Sequence, residues 1–306
     1  MPSNGLPEWL PTWCSDHLGC EPAEVLFRAE SVSAVFGLRL ADGAEVVVKA
    51  RPDDGRAASC VAAQARLAER GFPCARPLTP AVGDGSSAVH AEEFRPGGEL
   101  LRGDSPDVAA RYATVFAHLM TGLADVTVEP PLPNPRWVRW DHTDPGPWPA
   151  IGFLDERDQA PVPASAVETA VRVRARILAA GLPCVLGHGD FEAQNLRWHG
   201  REVWAVHDWD SLAWQPEAAL VGAASGAFAS AEAPTLAPIE SSEAFLETYQ
   251  DVRGRRFTAE ELEVAWAAGM WTPAHNARWE ALNGQAPVSG DALDAQAAER
   301  LRRASA

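Results

Sequence analysis

The chain has 306 residues, a length that suits about two domains. Apolar residues make up 46% and charged residues 22%, a balance that supports packed cores and excludes wholesale disorder. A formal charge of −16 repels nucleic acid phosphates and anionic lipid, which sets those partners aside; it would attract cationic small molecules.

Met1-Pro2-Ser3-Asn4-Gly5 has neither the basic nor the apolar region of a signal peptide, and no apolar run is long enough to span a bilayer, so secretion and membrane insertion are not expected. Cys14, Cys20, Cys60, Cys74 and Cys184 are scattered, odd in number and without C-x-x-C pairing. Reduced thiols in a cytoplasmic protein are expected, rather than a disulfide frame or zinc site.

From Glu24 to Leu100 the pattern is mostly strand-like. Apolar and β-branched runs at Val32 to Leu40 and Glu45 to Ala50 are joined by Asp42-Gly43, a hairpin signal. A helix is expected over about Arg56 to Arg70, stopped by Gly71 and Pro73, and another strand over Ala88 to Phe94. Then the character changes. Ser105-Pro106 supplies an N-cap and a proline at the first helical position, ahead of apolar residues at helical spacing from Val108 to Leu119. Glu129 to Pro149, rich in Pro and Trp, is expected to be irregular, and Ala164 to Ala180 helical up to Gly181. Ala229 to Ser242 has a loop composition, and Thr258 with Glu261 forms a capping box before a further helix.

The chemistry-bearing segment is His188-Gly189-Asp190-Phe191-Glu192-Ala193-Gln194-Asn195, followed after a Val-rich hairpin by His207-Asp208-Trp209-Asp210. An Asp five positions before an Asn, with a second Asp at the far end of the hairpin, is the spacing that phosphoryl transfer uses for a base and magnesium. Asp190 would orient an acceptor hydroxyl and take its proton late; Asn195 and Asp208 offer hard oxygen ligands. Lys49, closing the run Val46-Val47-Val48, would place a point charge on nucleotide phosphates. Turn formation alone could explain Asp208 and Asp210, and a strand-terminal lysine is commonly a solvated edge residue.

Taken in that order, these motifs resemble the aminoglycoside phosphotransferase and choline kinase-like family over about Val32 to Leu220, with compatible closing helices through Trp279. The resemblance implies an α+β, two-lobed protein-kinase-like fold. Residues 1–96 would form a small β-rich nucleotide-binding lobe, and residues 97–306 a larger, mainly helical catalytic and acceptor-binding lobe. ATP and Mg2+ would be used on a small-molecule acceptor such as an aminoglycoside-like antibiotic, sugar or amino alcohol, by a monomer or homodimer. Ser31 and Ser33 fall at the phosphate-covering turn, which here lacks glycines, and Glu92 and Phe94 fall where the adenine is held by backbone hydrogen bonds. His188 would support the loop. Trp209, Asp210, Trp271 and Trp279 would support or line the acceptor pocket.

Two departures matter. The helix after the lysine strand should carry a Glu near Cys60 or Val61 to pair with Lys49, yet no acidic residue lies between Ala57 and Leu67, and Gln64 offers at best a neutral hydrogen bond. Where the family commonly has an anchoring Asp, this chain has Ala219. A catalytically impaired nucleotide- or ligand-binding protein therefore stands as the alternative. A metal-dependent hydrolase built on His188, Asp190, His199, His207 and Asp208 is a third reading.

Overall fold

The computed structural model describes residues 6–30, 33–83, 86–128 and 132–306. The chain divides into two compact units, one of Met1–Gly97 with Thr127–Pro130 and one of Gly98–Val126 with Pro131–Ala306.

The first unit holds α1 (Trp9–Leu18), β1 (Pro22–Glu30), β2 (Ala34–Leu40), β3 (Glu45–Pro52), α2 (Ala57–Glu69), β4 (Val82–Gly83) and β5 (Ser87–Glu93). The strands form one antiparallel sheet in the order β1-β2-β3-β5-β4. The β2–β3 hairpin closes at Asp42-Gly43, where the Asp42 carboxylate accepts from the Ala44 amide at 2.9 Å and Gly43 takes the left-handed φ of 89° that glycine tolerates. Side chains alternate across a strand. Phe36 and Leu38, Val46 and Val48, and Val89 and Ala91 therefore share one face, which buries Leu10 and Cys14 of α1. Lys49, His90 and Glu92 belong to the opposite face, where Gln64 of α2 meets Glu92.

Helix α1 lies in a stretch the sequence reading left without an element. Trp9, Leu10, Trp13 and Cys14 carry a helical spacing, but Glu8 makes no side-chain cap and Pro11 interrupts the pattern. Lys49 sits inside β3, the middle strand, with its side chain 13% exposed, so the solvated-edge reading of this residue is corrected.

The second unit contains α3 (Pro106–Leu123), α4 (Gly152–Asp155), α5 (Ala164–Ala180), β6 (Cys184–His188), β7 (Leu196–His199), β8 (Glu202–Val206), β9 (Leu212–Pro216), α6 (Glu217–Ala227), α7 (Ile239–Arg253), α8 (Ala259–Asn283) and α9 (Val288–Arg303). Helix α7 thus begins four residues inside the segment read as loop, because Ser241 and Ser242 are buried and their hydroxyls find carbonyl partners at Asp104 and Ser225. Strand β6 pairs antiparallel with β9, and β7 with β8. An aromatic core of Tyr112, Phe116, Phe191, Trp198, Phe228, Phe245 and Tyr249 lies beneath them, with neighbouring ring centroids 4.7 to 6.3 Å apart.

Helices α6 and α8 approach to backbone contact. A Cβ on Gly222 would collide with the Ala265 carbonyl, and one on Gly226 would lie 2.5 Å from the Gly269 oxygen. Helix α8 opens on the expected capping box: Thr258 Oγ1 accepts from the Glu261 amide at 3.2 Å and the Glu261 carboxylate from the Thr258 amide at 2.8 Å. Pro273 lies inside this 25-residue helix. Among the described residues, no helix is long and apolar enough to cross a membrane.

Candidate active site

The loop after β6 is fixed at both ends. Phe191 is buried and packs on Phe116 with ring centroids 4.7 Å apart, while the Gly189 amide donates to the Ser211 carbonyl at 2.7 Å. A Cβ on Gly189 would lie 3.1 Å from that same oxygen, which explains a glycine here. His188 is buried; its Nε2–H donates to the His207 carbonyl at 3.1 Å, and its Nδ1 accepts from the Asp190 amide at 3.2 Å. Burial lowers its pKa, against the pull of Asp208 and the backbone bonds, and the hydrogen-bond roles are those of a neutral imidazole.

The Asn195 side chain closes the loop. Its Nδ2 donates to the Asp190 carbonyl at 2.9 Å and to the Asp190 carboxylate at 3.2 Å. With both amide protons directed at Asp190, the Asn195 Oδ1 remains an acceptor. Asp208 follows β8 in the left-handed region, φ 58° and ψ 50°, and its carboxylate accepts from Ser211 Oγ at 2.6 Å. Burial pushes the Asp190 carboxyl up to about 7, and the charge of Asp208 adds to the rise while the Asn195 bond opposes it. Glu192, buried and bonded to Gln194 Nε2 at 2.8 Å, is raised as well, first by burial and then by Asp190. It is a third carboxylate that the motif reading passed over; its place two residues after Asp190 was the available signal.

A cluster of carboxylates with raised pKa is a site short of positive charge. Asn195 Oδ1 and the Asp208 carboxylate are hard oxygen donors, and two protein ligands suffice for Mg2+, which takes its remaining ligands from water and phosphates. The donor set therefore fits magnesium. It does not fit the hydrolase reading: no three His, Cys, Asp or Glu among the described residues are placed to hold a metal ion, and His199 instead stacks on Trp204 at 4.7 Å.

Two tryptophans are corrected. Trp209 is 2% exposed, donates from Nε1 to the Val206 carbonyl at 3.0 Å and meets His188 edge-on at 5.9 Å. It is a core side chain behind the loop, not a pocket wall. Trp271, also 2% exposed, is packed against Trp148 and His142. Trp279 is half-buried with its ring 5.7 Å from that of Phe153, and Asp210 is half-buried in the short turn Trp209–Ser211.

In the first unit, Lys49 Nζ lies 2.8 Å from the Glu92 carboxylate. Gln64 Nε2 donates to the other Glu92 oxygen at 2.9 Å and to the Ala75 carbonyl at 2.8 Å. The expected lack of an acidic partner for Lys49 is thus corrected: the carboxylate comes from β5, not from α2. The Glu92 side chain is turned inward. The Phe94 amide reaches the Glu45 carbonyl at 3.4 Å and its ring meets Phe27 at 5.6 Å. Ser33 is half-buried at the start of β2, and Ser31 lies outside the described residues. Ala219 is buried in α6, and an anchor stands two residues earlier, where Glu217 accepts from Tyr249 Oη at 2.5 Å and Arg253 Nε at 3.3 Å.

The model of the phosphotransferase enzyme family matches residues 29–254. The chain belongs to this family. It is accordingly an enzyme of the small-molecule kinase and phosphotransferase class. Among solved structures, it is similar to amicoumacin kinase hAmiN in complex with AMP-PNP, Ca2+ and Ami, at TM-score 0.61 and 12% identity over 94% of this chain and 89% of that one. Macrolide 2'-phosphotransferase MphH from Brachybacterium faecium is similar at TM-score 0.53 and 17% identity, covering 98% and 97%. A thermostable mutant of aminoglycoside phosphotransferase APH(4)-Ia with ADP and hygromycin B gives 0.55 and 12%, covering 97% and 99%. These likenesses establish the kinase-like fold, with a β-rich N-terminal part and a helical C-terminal part. No curated protein matches the chain.

Proposed function

We propose that the protein transfers the terminal phosphoryl group of ATP to a hydroxyl of a small molecule, with Asp190 as the base that orients the hydroxyl and takes its proton. Residues 1–96 take the nucleotide, with Lys49 directed at its phosphates; residues 97–306 carry the base, the metal ligands and the acceptor contacts. Magnesium, held by Asn195 and Asp208, would supply charge neutralisation on the phosphates. The observation that carries this reading is the Asn195 amide spanning the Asp190 carbonyl and carboxylate, which fixes the base while keeping the Asn195 side-chain oxygen as an acceptor.

A raised Asp190 pKa suits the role, since a base poised near neutral accepts a proton with useful driving force. The acceptor belongs to the class of antibiotics, sugars or amino alcohols, and the charge of −16 would draw a cationic one. The kinase and the phosphotransferase that carry AMP-PNP and ADP support ATP as donor, and a cytoplasmic location would supply it. ADP release with a panel of aminoglycosides, sugars and amino alcohols tests the assignment, repeated with Asp190→Asn. Turnover by some member, lost in the variant, is expected; turnover unchanged by the substitution would sink it.

A further inference from the structure

The family resemblance places the carboxylate partner of the phosphate-binding lysine on the helix after its strand, so that assembly of the pair depends on that helix. In this chain the helix position is filled differently. The carboxylate that meets Lys49 belongs to Glu92 on β5, the strand hydrogen-bonded to β3. His90 is the direct cross-strand neighbour of Lys49, and Glu92 is the next residue along on the same face, a diagonal pair within reach of long side chains. Glu92 is 4% exposed, with Lys49 at 2.8 Å, Gln64 at 2.9 Å and His90 at 4.0 Å. Burial alone would raise its pKa; Lys49, Gln64 and His90 more than offset that and hold it ionised.

The composition sharpens the point. Lysine and arginine together number 26, and Lys49 is the only lysine in the chain. Every other cationic position carries arginine, whose planar fork does not replace a compact ammonium on a phosphate.

We propose that Glu92 is the positioning residue for Lys49, so that the phosphate-binding ammonium is aimed by the sheet itself and needs no carboxylate from α2. The inference rests on the reading of Lys49 given under the proposed function. Helix α2 contributes the neutral amide of Gln64, which steadies Glu92 and is itself tied to the Ala75 carbonyl. The pair is held by main-chain hydrogen bonds of β3 and β5, in one register, before any nucleotide arrives.

Because the chain has a single ε-amine, a lysine-selective acylating reagent reports on Lys49 directly, with Lys49→Met giving the background from the α-amine. In Glu92→Gln the buried ammonium loses its counter-charge, its pKa falls, and labelling accelerates by about tenfold or more. With ATP as probe, KM rises and kcat falls, a combined loss of about a hundredfold in kcat/KM for a misplaced charge. In a Lys49→Ala background the same substitution has no further kinetic effect, which a general structural role would not produce. A folded Glu92→Gln protein with wild-type labelling and ATP kinetics overturns the proposal. Should that variant not fold, Glu92→Asp decides: slow labelling with kcat/KM lowered about tenfold supports it, and unaltered kinetics overturn it. If the wild-type protein turns over no acceptor, the kinase reading fails, and the labelling comparison still decides the role of Glu92.

Discussion

One side-chain amide, that of Asn195, bonds both the carbonyl and the carboxylate of Asp190, at 2.9 and 3.2 Å. The proposed base and the proposed metal ligand are therefore a single mechanical unit. On the proposed roles, Asn195→Ala removes the restraint and one metal oxygen together, and kcat is expected to fall by about 10²-fold or more with a higher Mg2+ requirement. Initial rates over a Mg2+ titration check this; a change in kcat with no change in Mg2+ dependence would count against Asn195 as a ligand.

Asp190 also makes a stability prediction. Its carboxyl is pushed up to about 7, well above the ordinary carboxylate range, first by burial. The folded protein thus holds that proton more tightly than the unfolded chain. The contribution is favourable at acid pH and is lost as pH rises through the folded-state value. Without nucleotide or metal, Asp190→Asn should melt above the wild type at pH 8, by as much as a few kcal/mol in stability, and the gap should close toward pH 4. Melting curves at several pH values with chelator present read this out, and a variant less stable than wild type at pH 8 would contradict it.

Asp208→Asn keeps the turn and halves the ligand chemistry. The amide can still accept from Ser211 Oγ and tolerates the left-handed backbone, so the fold should survive. Loss of the carboxylate charge should weaken the stabilisation of the protein by Mg-ATP, seen as a smaller melting shift than the wild type shows. An equal shift in both proteins would remove Asp208 from the metal site.

Lys49→Arg conserves charge in a sequence that otherwise uses arginine throughout. The guanidinium is longer and forked, and at 13% exposure it has little room beside Glu92. ATP turnover is expected to fall by about tenfold or more, with circular dichroism unchanged. An active arginine variant would show that only the sign of the charge matters at this position.

Gly222→Ala tests the contact of α6 with α8. The new methyl group meets the Ala265 backbone, which cannot rotate away as a side chain could. The expected cost is roughly 1–3 kcal/mol, a value typical of overpacked cores, read as a lower denaturant midpoint. Gly254→Ala is a poor control because Gly254 has φ 67°, whereas Gly152→Ala, with open space at the Cβ position, should be nearly silent.

Much of this molecule was legible in its sequence. The Asp42-Gly43 hairpin, the Ser105 cap, helix α5 and the Thr258 capping box are signals whose causes lie within a few residues, so local chemistry determines them. The partner of Lys49 was not legible, because cross-strand contacts depend on register between β3 and β5 rather than on spacing along the chain. The tryptophans show the same boundary. Nothing local separates Trp209, sealed behind His188, from Trp279 with its partly open face; burial is decided by distant elements. Glu217 illustrates a third case: its bonds to Tyr249 and Arg253 tie α6 to α7 two residues from Ala219, through partners more than thirty residues away that spacing along the chain does not announce.

Pro273 divides helix α8 in a way that hydrogen exchange should resolve. A proline has no amide proton to offer the carbonyl four residues earlier, which is that of Gly269. That oxygen is the one Gly226 faces, where a Cβ would lie 2.5 Å away, so glycine lets α6 pass close over the carbonyl whose helical rung is missing. Before the break α8 is covered by α6, and beyond it Arg278 on Asp155 at 2.6 Å and Glu280 on the Ser289 and Gly290 amides at 2.8 and 3.1 Å tie it down. Slower exchange in the half held by α6 than in the half beyond Pro273 is the expected outcome.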